Sequence, residues 1–179
     1  MQRRNYRGFT LLELIVVLLI IGFMSALVVP KLVGPMSNLN LKTASKKIAA
    51  SLRYARSQAA SEKTTYVALF DFDKDRLSII IPPLLNGDFE VPDEAPEEQP
   101  DGGKGGPGGL KVYDLPDGVG LEKGVSEEGE VDSGLFRIFF FPNGGSGGGE
   151  IIVANKRGGR YKVSVDFITG TVQLSEVMD

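Results

Sequence analysis

The sequence predicts an α+β protein in which a long N-terminal helix, first transmembrane and then amphipathic, packs on a mostly antiparallel β domain. Three observations lead to this prediction: an apolar run near the N-terminus, a helical apolar stripe after it, and then short segments of β-branched and aromatic residues separated by turn residues. The expected parts are a leader (1–8), a transmembrane helix (9–29), its amphipathic continuation (30–62) and a β domain (63–179) with a flexible insertion (86–109).

Composition excludes several function classes. The 179 residues suit one domain with an appendage. A formal net charge of -3 gives no overall positive field for nucleic acid. The absence of Cys and His removes thiol nucleophiles, disulfides, the common zinc ligands and the usual acid or base near neutral pH. We therefore expect no enzyme activity, no cofactor and no metal site.

The apolar run from Phe9 to Val29 contains one charged side chain, Glu13. A helix of about 20 residues, rising about 1.5 Å per residue, crosses a hydrocarbon core about 30 Å thick. Three arginines precede the run and no acid does, so the positive-inside rule keeps the N-terminus cytoplasmic and places the rest across the membrane. A secretory signal peptide is the alternative, but its apolar region is about 7 to 15 residues and ends at a small-x-small cleavage site.

The heptapeptide from Arg7 to Glu13, RGFTLLE, resembles the type III signal of type IV pilins and type II secretion pseudopilins. The resemblance implies cleavage between Gly8 and Phe9 by prepilin peptidase, N-methylation of Phe9, and Glu13 as the fifth residue of the mature chain. It also implies as partners the major and minor pseudopilins, the peptidase, the inner-membrane assembly platform and membrane lipid. The domain after the helix would then be periplasmic.

A carboxylate inside a membrane helix is costly and usually has a partner. Cleavage creates an α-amine at Phe9, which is also costly in apolar surroundings. Pairing of that amine with Glu13 of a neighbouring subunit satisfies both groups and sets the stagger between subunits. The alternative is a plain signal anchor with an isolated acid.

A helical stripe follows the breakers Pro30, Gly34 and Pro35, of which Pro30 is expected to kink the helix. The apolar positions expected to pack on the β domain are Leu39, Leu41, Ala44, Ile48, Leu52, Ala55 and Ala59. The other faces are basic, and a solvated surface near anionic lipid is favoured there over a nucleic-acid stripe. These basic residues are Lys42, Lys46, Lys47, Arg53 and Arg56.

The β domain is predicted from segments with strand composition. These segments are Thr64 to Phe72, Arg76 to Ile81, Leu110 to Tyr113, Leu115 to Val119, Leu135 to Phe141, Glu150 to Ala154, Tyr161 to Phe167 and Thr171 to Leu174. Turns are expected at 73–75, 155–159 and 168–170. The stretches LPDGVGLE, FFFPNGGSGGGEIIV and DFITGTVQL are similar to the H-type minor pseudopilin and FimT family, which implies a β domain seated on the long helix.

Three further patterns are weaker. Asp71, Asp73 and Asp75 alternate as in a calcium loop but lack its Gly and Glu, so a turn is favoured. The glycine run 144–149 lacks the Lys and Ser or Thr of a phosphate loop and precedes a strand, which favours a flexible connection. The insertion, acidic and then Gly-rich, is expected to be a solvated loop rather than an acidic docking segment.

These features predict a minor pseudopilin, a structural subunit that assembles through its N-terminal helix for protein export across the outer membrane. The alternative is a FimT-like minor pilin that binds DNA during uptake. Its support is one basic cluster, Lys156, Arg157, Arg160 and Lys162. The secreted substrate and the position in the filament do not follow from the sequence.

Overall fold

The computed structural model describes residues 9–82, 84–85, 88–89 and 111–177, without the side chains of residues 26–35 and of the two short strands at 84–89. The predicted leader and most of the predicted insertion therefore lie outside the described residues. The chain divides into two compact units, Met1–Met36 and Ser37–Asp179.

One helix, α1, runs from Leu11 to Glu62 and confirms the long N-terminal helix. Its assignment continues through Pro30 and Pro35, although proline removes a backbone donor. The kink expected at Pro30 stays a prediction. The helix ends where Lys63 adopts a left-handed φ of 52° and the amide of Thr64 donates to the carbonyl of Ala59 at 3.2 Å.

The β domain contains two antiparallel sheets and a short two-stranded ladder. The strands are β1 Tyr66–Asp71, β2 Arg76–Ile80, β3 Leu84–Leu85, β4 Asp88–Phe89, β5 Lys111–Asp114, β6 Val119–Ser126, β7 Gly129–Val131, β8 Leu135–Phe140, β9 Gly149–Asn155, β10 Arg160–Val165 and β11 Val172–Glu176. The four-stranded sheet has the order β5-β2-β1-β8, the five-stranded sheet the order β11-β10-β9-β6-β7, and β3 pairs with β4. The chain passes from the first sheet to the second between β5 and β6, returns between β7 and β8, and passes to the second sheet again between β8 and β9.

The main core forms between one face of α1 and both sheets. The helix contributes seven buried apolar residues, Leu41, Ala44, Ile48, Ala49, Leu52, Ala55 and Ala59. The expected stripe is thus confirmed from Leu41 onward. Leu39 was assigned wrongly: it is 61% exposed, because the buried face begins at Leu41, and Ala49 is buried as well.

Most predicted strands are confirmed within one or two residues, but two regions differ. Residues 115–118 form a loop and turn rather than a strand, and Gly118 has a positive φ of 81°. Strands β6 and β7 were missed, although β6 pairs with β9, the central strand of the five-stranded sheet. Within the predicted insertion, β4 pairs with β3, so this part is not wholly loop.

Basic residues of α1 bind the β domain. The guanidinium of Arg53 donates to the carbonyl of Val172 at 3.0 Å, and that of Arg56 to the carbonyl of Gly144 at 3.4 Å. The Lys47 ammonium lies 4.7 Å from the centre of the Tyr113 ring on β5. The basic surface of the helix is therefore partly used inside the fold, and the prediction of a uniformly solvated face was too simple.

Candidate assembly site at the start of the helix

The start of α1 brings together Phe9, Thr10 and Glu13, whereas Gly8 lies outside the described residues. The amide of Glu13 donates to Thr10 Oγ1 at 3.2 Å, and the amide of Leu14 donates to the Thr10 carbonyl at 3.2 Å. Thr10 is therefore the N-cap, and Glu13 stands in the first turn, where the helix dipole favours a carboxylate. Sequence reasoning missed Thr10, although the Thr-x-x-Glu spacing is that of a capping box.

Every described side chain from Phe9 to Ser25 is exposed. Phe9 is 79% exposed and Phe23 is 71% exposed, and the apolar residues between them are also on the surface. An apolar surface of this extent needs lipid or a partner to cover it. It surrounds one acid, Glu13, which is also exposed.

The apolar surface has a shallow notch lined by Ile15, Leu18, Leu19, Gly22 and Phe23. A side chain on Gly22 would meet nothing within 4 Å, so the helix backbone is accessible there. Small residues of this kind let two membrane helices approach closely. At about 100° per residue, Glu13 lies about 160° around the helix from Ile15, so the acid and the notch face different directions.

Within the described residues, no helix combines the length with the apolar character required of a membrane crossing. The predicted span of residues 9–29 includes residues 26–29, whose side chains lie outside the described part. The span stays a prediction.

The basic cluster predicted for the alternative function is partly neutralised. Arg160 Nε lies 2.8 Å from a carboxylate oxygen of Glu122, and Lys162 Nζ lies 3.1 Å from one of Glu150. These two acids reduce the positive charge of the cluster. Nearby, Glu176 accepts a hydrogen bond from the Tyr161 hydroxyl. The cluster therefore offers less to a phosphate backbone than its sequence indicates.

Two of the three weaker sequence patterns, the aspartate series and the glycine run, form turns and connections between strands. Asp71 Oδ1 accepts the amides of Asp73 and Lys74, each at 3.0 Å, and Asp75 Oδ1 accepts the amide of Leu121 at 2.8 Å. These carboxylates thus hold backbone, and the described residues contain no group of three side chains placed to bind a metal.

In the glycine run, the Ser146 hydroxyl donates to the Asp166 carbonyl at 2.8 Å and accepts the amide of Gly148 at 2.9 Å. Gly144 and Gly148 have φ values of 88° and 68°, which favour glycine. The run is the predicted connection between strands, but hydrogen bonds fix its path.

A helix with an exposed apolar start, a carboxylate in its first turn and a two-sheet domain on its later turns defines the class of pilin-like subunits. Comparison with known proteins supports this class. Residues 3–29 match the model described as "Prokaryotic N-terminal methylation motif", and residues 44–169 match the one described as "Type II transport protein GspH". The chain therefore belongs to the GspH family, the minor pseudopilins of type II secretion.

Individual relatives agree with this assignment. Type II secretion system protein H of Xanthomonas campestris pv. campestris is 30% identical over 171 residues, which are 96% of this chain and 84% of the relative. Core protein G of the same kind of system in Klebsiella michiganensis is 56% identical over 34 residues, 19% of this chain and 24% of that protein. The minor pseudopilin EpsH of Vibrio cholerae has a similar fold, with a TM-score of 0.55 at 14% identity over 78% of this chain and 96% of that one.

Membership in this family means that the protein is anchored to a membrane through its N-terminal segment. The family members are structural subunits that interact with other pseudopilins.

Proposed function

We propose that prepilin peptidase cuts the chain between Gly8 and Phe9 and that Phe9 is then N-methylated. The mature chain crosses the inner membrane once through residues 9–29, with the N-terminus cytoplasmic and the β domain periplasmic. Three arginines and no acid in residues 1–8 support this orientation. Membrane lipid and the assembly platform are its partners at this stage, and no catalytic step is assigned to the chain.

The mature subunit then assembles with neighbouring subunits through the start of α1. The single observation that carries this step is an exposed apolar surface, from Phe9 to Ser25, that surrounds one carboxylate in the first turn of the helix. Glu13 pairs with the Phe9 amine of the next subunit, because each group supplies the counter-charge that the other needs in apolar surroundings. The notch at Gly22 faces another direction and receives a second neighbouring helix.

Cleavage is tested by replacing Gly8 with a bulky residue, Gly8→Leu, because the peptidase requires a small residue before the cut. We expect full-length protein to accumulate in the inner membrane, with Met1 or Gln2 at its N-terminus in mass spectrometry. The matched control is Gly22→Leu, which adds the same side chain within the apolar run and leaves processing intact. A Gly8→Leu chain that still begins at Phe9 contradicts the proposed cleavage site.

The assembly contact is tested by Glu13→Leu, with Glu13→Gln as an uncharged substitution of similar shape. Both variants are expected to insert and to be cleaved, since an uncharged side chain is cheaper in lipid. Crosslinking to other pseudopilins and secretion should fall strongly, because removing one partner of a buried ion pair costs about 3–5 kcal/mol.

Ile21→Leu is the matched control in the same segment, since it keeps an exposed apolar side chain of the same size outside the notch. A processed Glu13→Leu protein that crosslinks and secretes like the control would show that the carboxylate is not the assembly contact. Loss of processing in that variant would instead place Glu13 in peptidase recognition.

A further inference from the structure

The turn between β9 and β10, residues 155–159, is held against the first turns of the helix within the compact unit Ser37–Asp179. The side-chain Nδ2 of Asn155 donates to Asn38 Oδ1 at 2.8 Å. A methyl group on Gly159 would lie 3.1 Å from Leu41 Cδ2, so this glycine touches the next helical turn. The 155–159 turn is therefore fixed at the beginning of the domain's part of α1.

The turn has a defined shape. Asn155 is 7% exposed, and its Oδ1 accepts the amides of Arg157 and Gly159, each at 3.0 Å. Gly158 adopts a φ of 85°, which glycine tolerates best. Lys156 and Arg157 stand exposed on this rigid turn, so their charges are presented at fixed backbone positions.

Lys156 and Arg157 differ from the other cations of the hairpin. Arg160 and Lys162 pair with Glu122 and Glu150, whereas neither turn cation has an ion-pair partner within the described residues. The exposed Lys42 follows Asn38 by four residues and so shares its helical face. Three acids, Asp75, Asp117 and Glu122, line the groove beside the turn together with Lys74. The Asp75 carboxylate already binds the Leu121 amide, and Glu122 is already paired with Arg160. The turn itself thus carries uncompensated positive charge.

Chain connectivity relates this turn to the membrane. Asn38 lies nine positions after Val29, the last residue of the apolar run. Nine residue steps reach at most about 32 Å even when fully extended. The residues that hold the 155–159 turn are therefore the described part of the domain with the shortest tether to the anchor.

We propose that Lys156 and Arg157, with Lys42, form a docking surface for the anionic phospholipid headgroups of the membrane that holds the anchor. A basic side chain near an anionic surface strengthens binding about fivefold, which makes the turn cations worth on the order of 25-fold together. Duplex DNA fits this surface less well, because its non-specific binding depends on how many phosphates are neutralised and three cations neutralise few. The inference needs the N-terminal anchor but not the Glu13 contact, so either can fail without the other.

The test uses the full chain in vesicles of phosphatidylcholine alone or mixed with phosphatidylglycerol, with a nitroxide quencher on the lipid headgroups. The chain has no cysteine, so Thr43→Cys places one fluorophore beside the docking surface, on an exposed helical position. We expect stronger quenching in the mixed vesicles and less of it at high salt. A fluorophore at Ile168→Cys, beyond the far end of β10, is the comparison site and is expected to show no such lipid dependence.

Replacing both turn cations, Lys156→Gln with Arg157→Gln, should return the quenching to the level of phosphatidylcholine vesicles. The matched control, Lys123→Gln with Lys162→Gln, removes the same charge from ion-paired positions and should keep the lipid dependence. Equal quenching in both vesicles, or lipid dependence that survives loss of the turn cations, overturns the proposal. Retention of duplex DNA that requires the turn cations, without lipid-dependent quenching, replaces it with a DNA surface.

Discussion

The two halves of α1 have the same secondary structure but opposite surroundings. From Phe9 to Ser25 every described side chain is exposed, whereas seven apolar residues from Leu41 to Ala59 are buried in the domain core. The first half is apolar on all sides, and the second half confines its apolar residues to one stripe. A helix that is apolar on all sides must be covered by lipid or by another molecule, because its own domain can cover only one face. A helix with one apolar stripe can bury that stripe in its own domain.

The strongest test of this difference compares one leucine from each half. Leu52 is fully buried, and Leu52→Ala should lower the free energy of unfolding by about 2–5 kcal/mol, because it removes apolar contacts and leaves a cavity. Leu18 is 60% exposed, and Leu18→Ala should change the unfolding of the domain by less than about 0.5 kcal/mol. Denaturant unfolding of both variants in detergent measures the difference. Equal losses would show that the first half is part of the folded core.

Two glycines, Gly124 in β6 and Gly22 in the first half of α1, provide a second comparison, in which the expected loss of stability is smaller. A methyl group on Gly124 would lie 2.7 Å from Phe136 Cγ, so Gly124→Ala should cost about 1–3 kcal/mol through overpacking. Gly22 has nothing within 4 Å, and Gly22→Ala should leave unfolding unchanged while reducing crosslinks to neighbouring helices.

Phe136→Leu provides the control for Gly124, since a smaller side chain opens space beside the glycine. The double variant should lose less stability than the sum of the two single variants, because the two positions share one contact. Strict additivity in unfolding experiments would place the cost of Gly124→Ala elsewhere in the domain.

A third test concerns protein stability at alkaline pH, which depends on Tyr66 of β1 beside the C-terminal end of α1. Burial, aided by a 2.7 Å hydrogen bond to the Glu62 carboxylate, raises the pKa of Tyr66 to about 12. Its folded form therefore holds a proton that the unfolded chain releases near its usual pKa of about 10. Stability should fall as pH rises from about 10 to about 12, and Tyr66→Phe should flatten this fall. Urea unfolding across that pH range measures the slope, and an unchanged slope in Tyr66→Phe would assign it to other groups.

Strands with dense β-branched and aromatic residues could be predicted from the sequence, and β1, β2 and β8 lie where expected. Strand β6 was missed because Gly120, Glu122 and Gly124 give it a weak strand propensity. The structure shows why glycine is present: Gly124 packs directly against the Phe136 ring, and the pairing with β9 shifts register between Leu121 and Lys123. The glycine at position 124 and the register shift both depend on contacts between distant parts of the chain, so the local sequence pattern does not predict them.

The candidate site could be proposed from the sequence for a different reason. Gly8, Phe9 and Glu13 stand in a short local stretch that resembles the pilin signal, so proposing them needs no contact between distant residues, and their roles stay a prediction. The use of Arg53 and Arg56 was not predictable, since their acceptors are carbonyls of Val172 and Gly144. The neutralisation of Arg160 by Glu122 likewise depends on strand pairing that brings residues 38 positions apart into contact.

The hydrogen bond from Arg53 to Val172 also bears on how the protein is made. It joins residues 119 positions apart, and the bond from Asn155 to Asn38 joins residues 117 positions apart. The apolar stripe of the helix is therefore synthesised well before Val172, which packs in the same core. Because contacts between distant residues form slowly, the stripe is expected to stay open to aggregation until β11 has been synthesised.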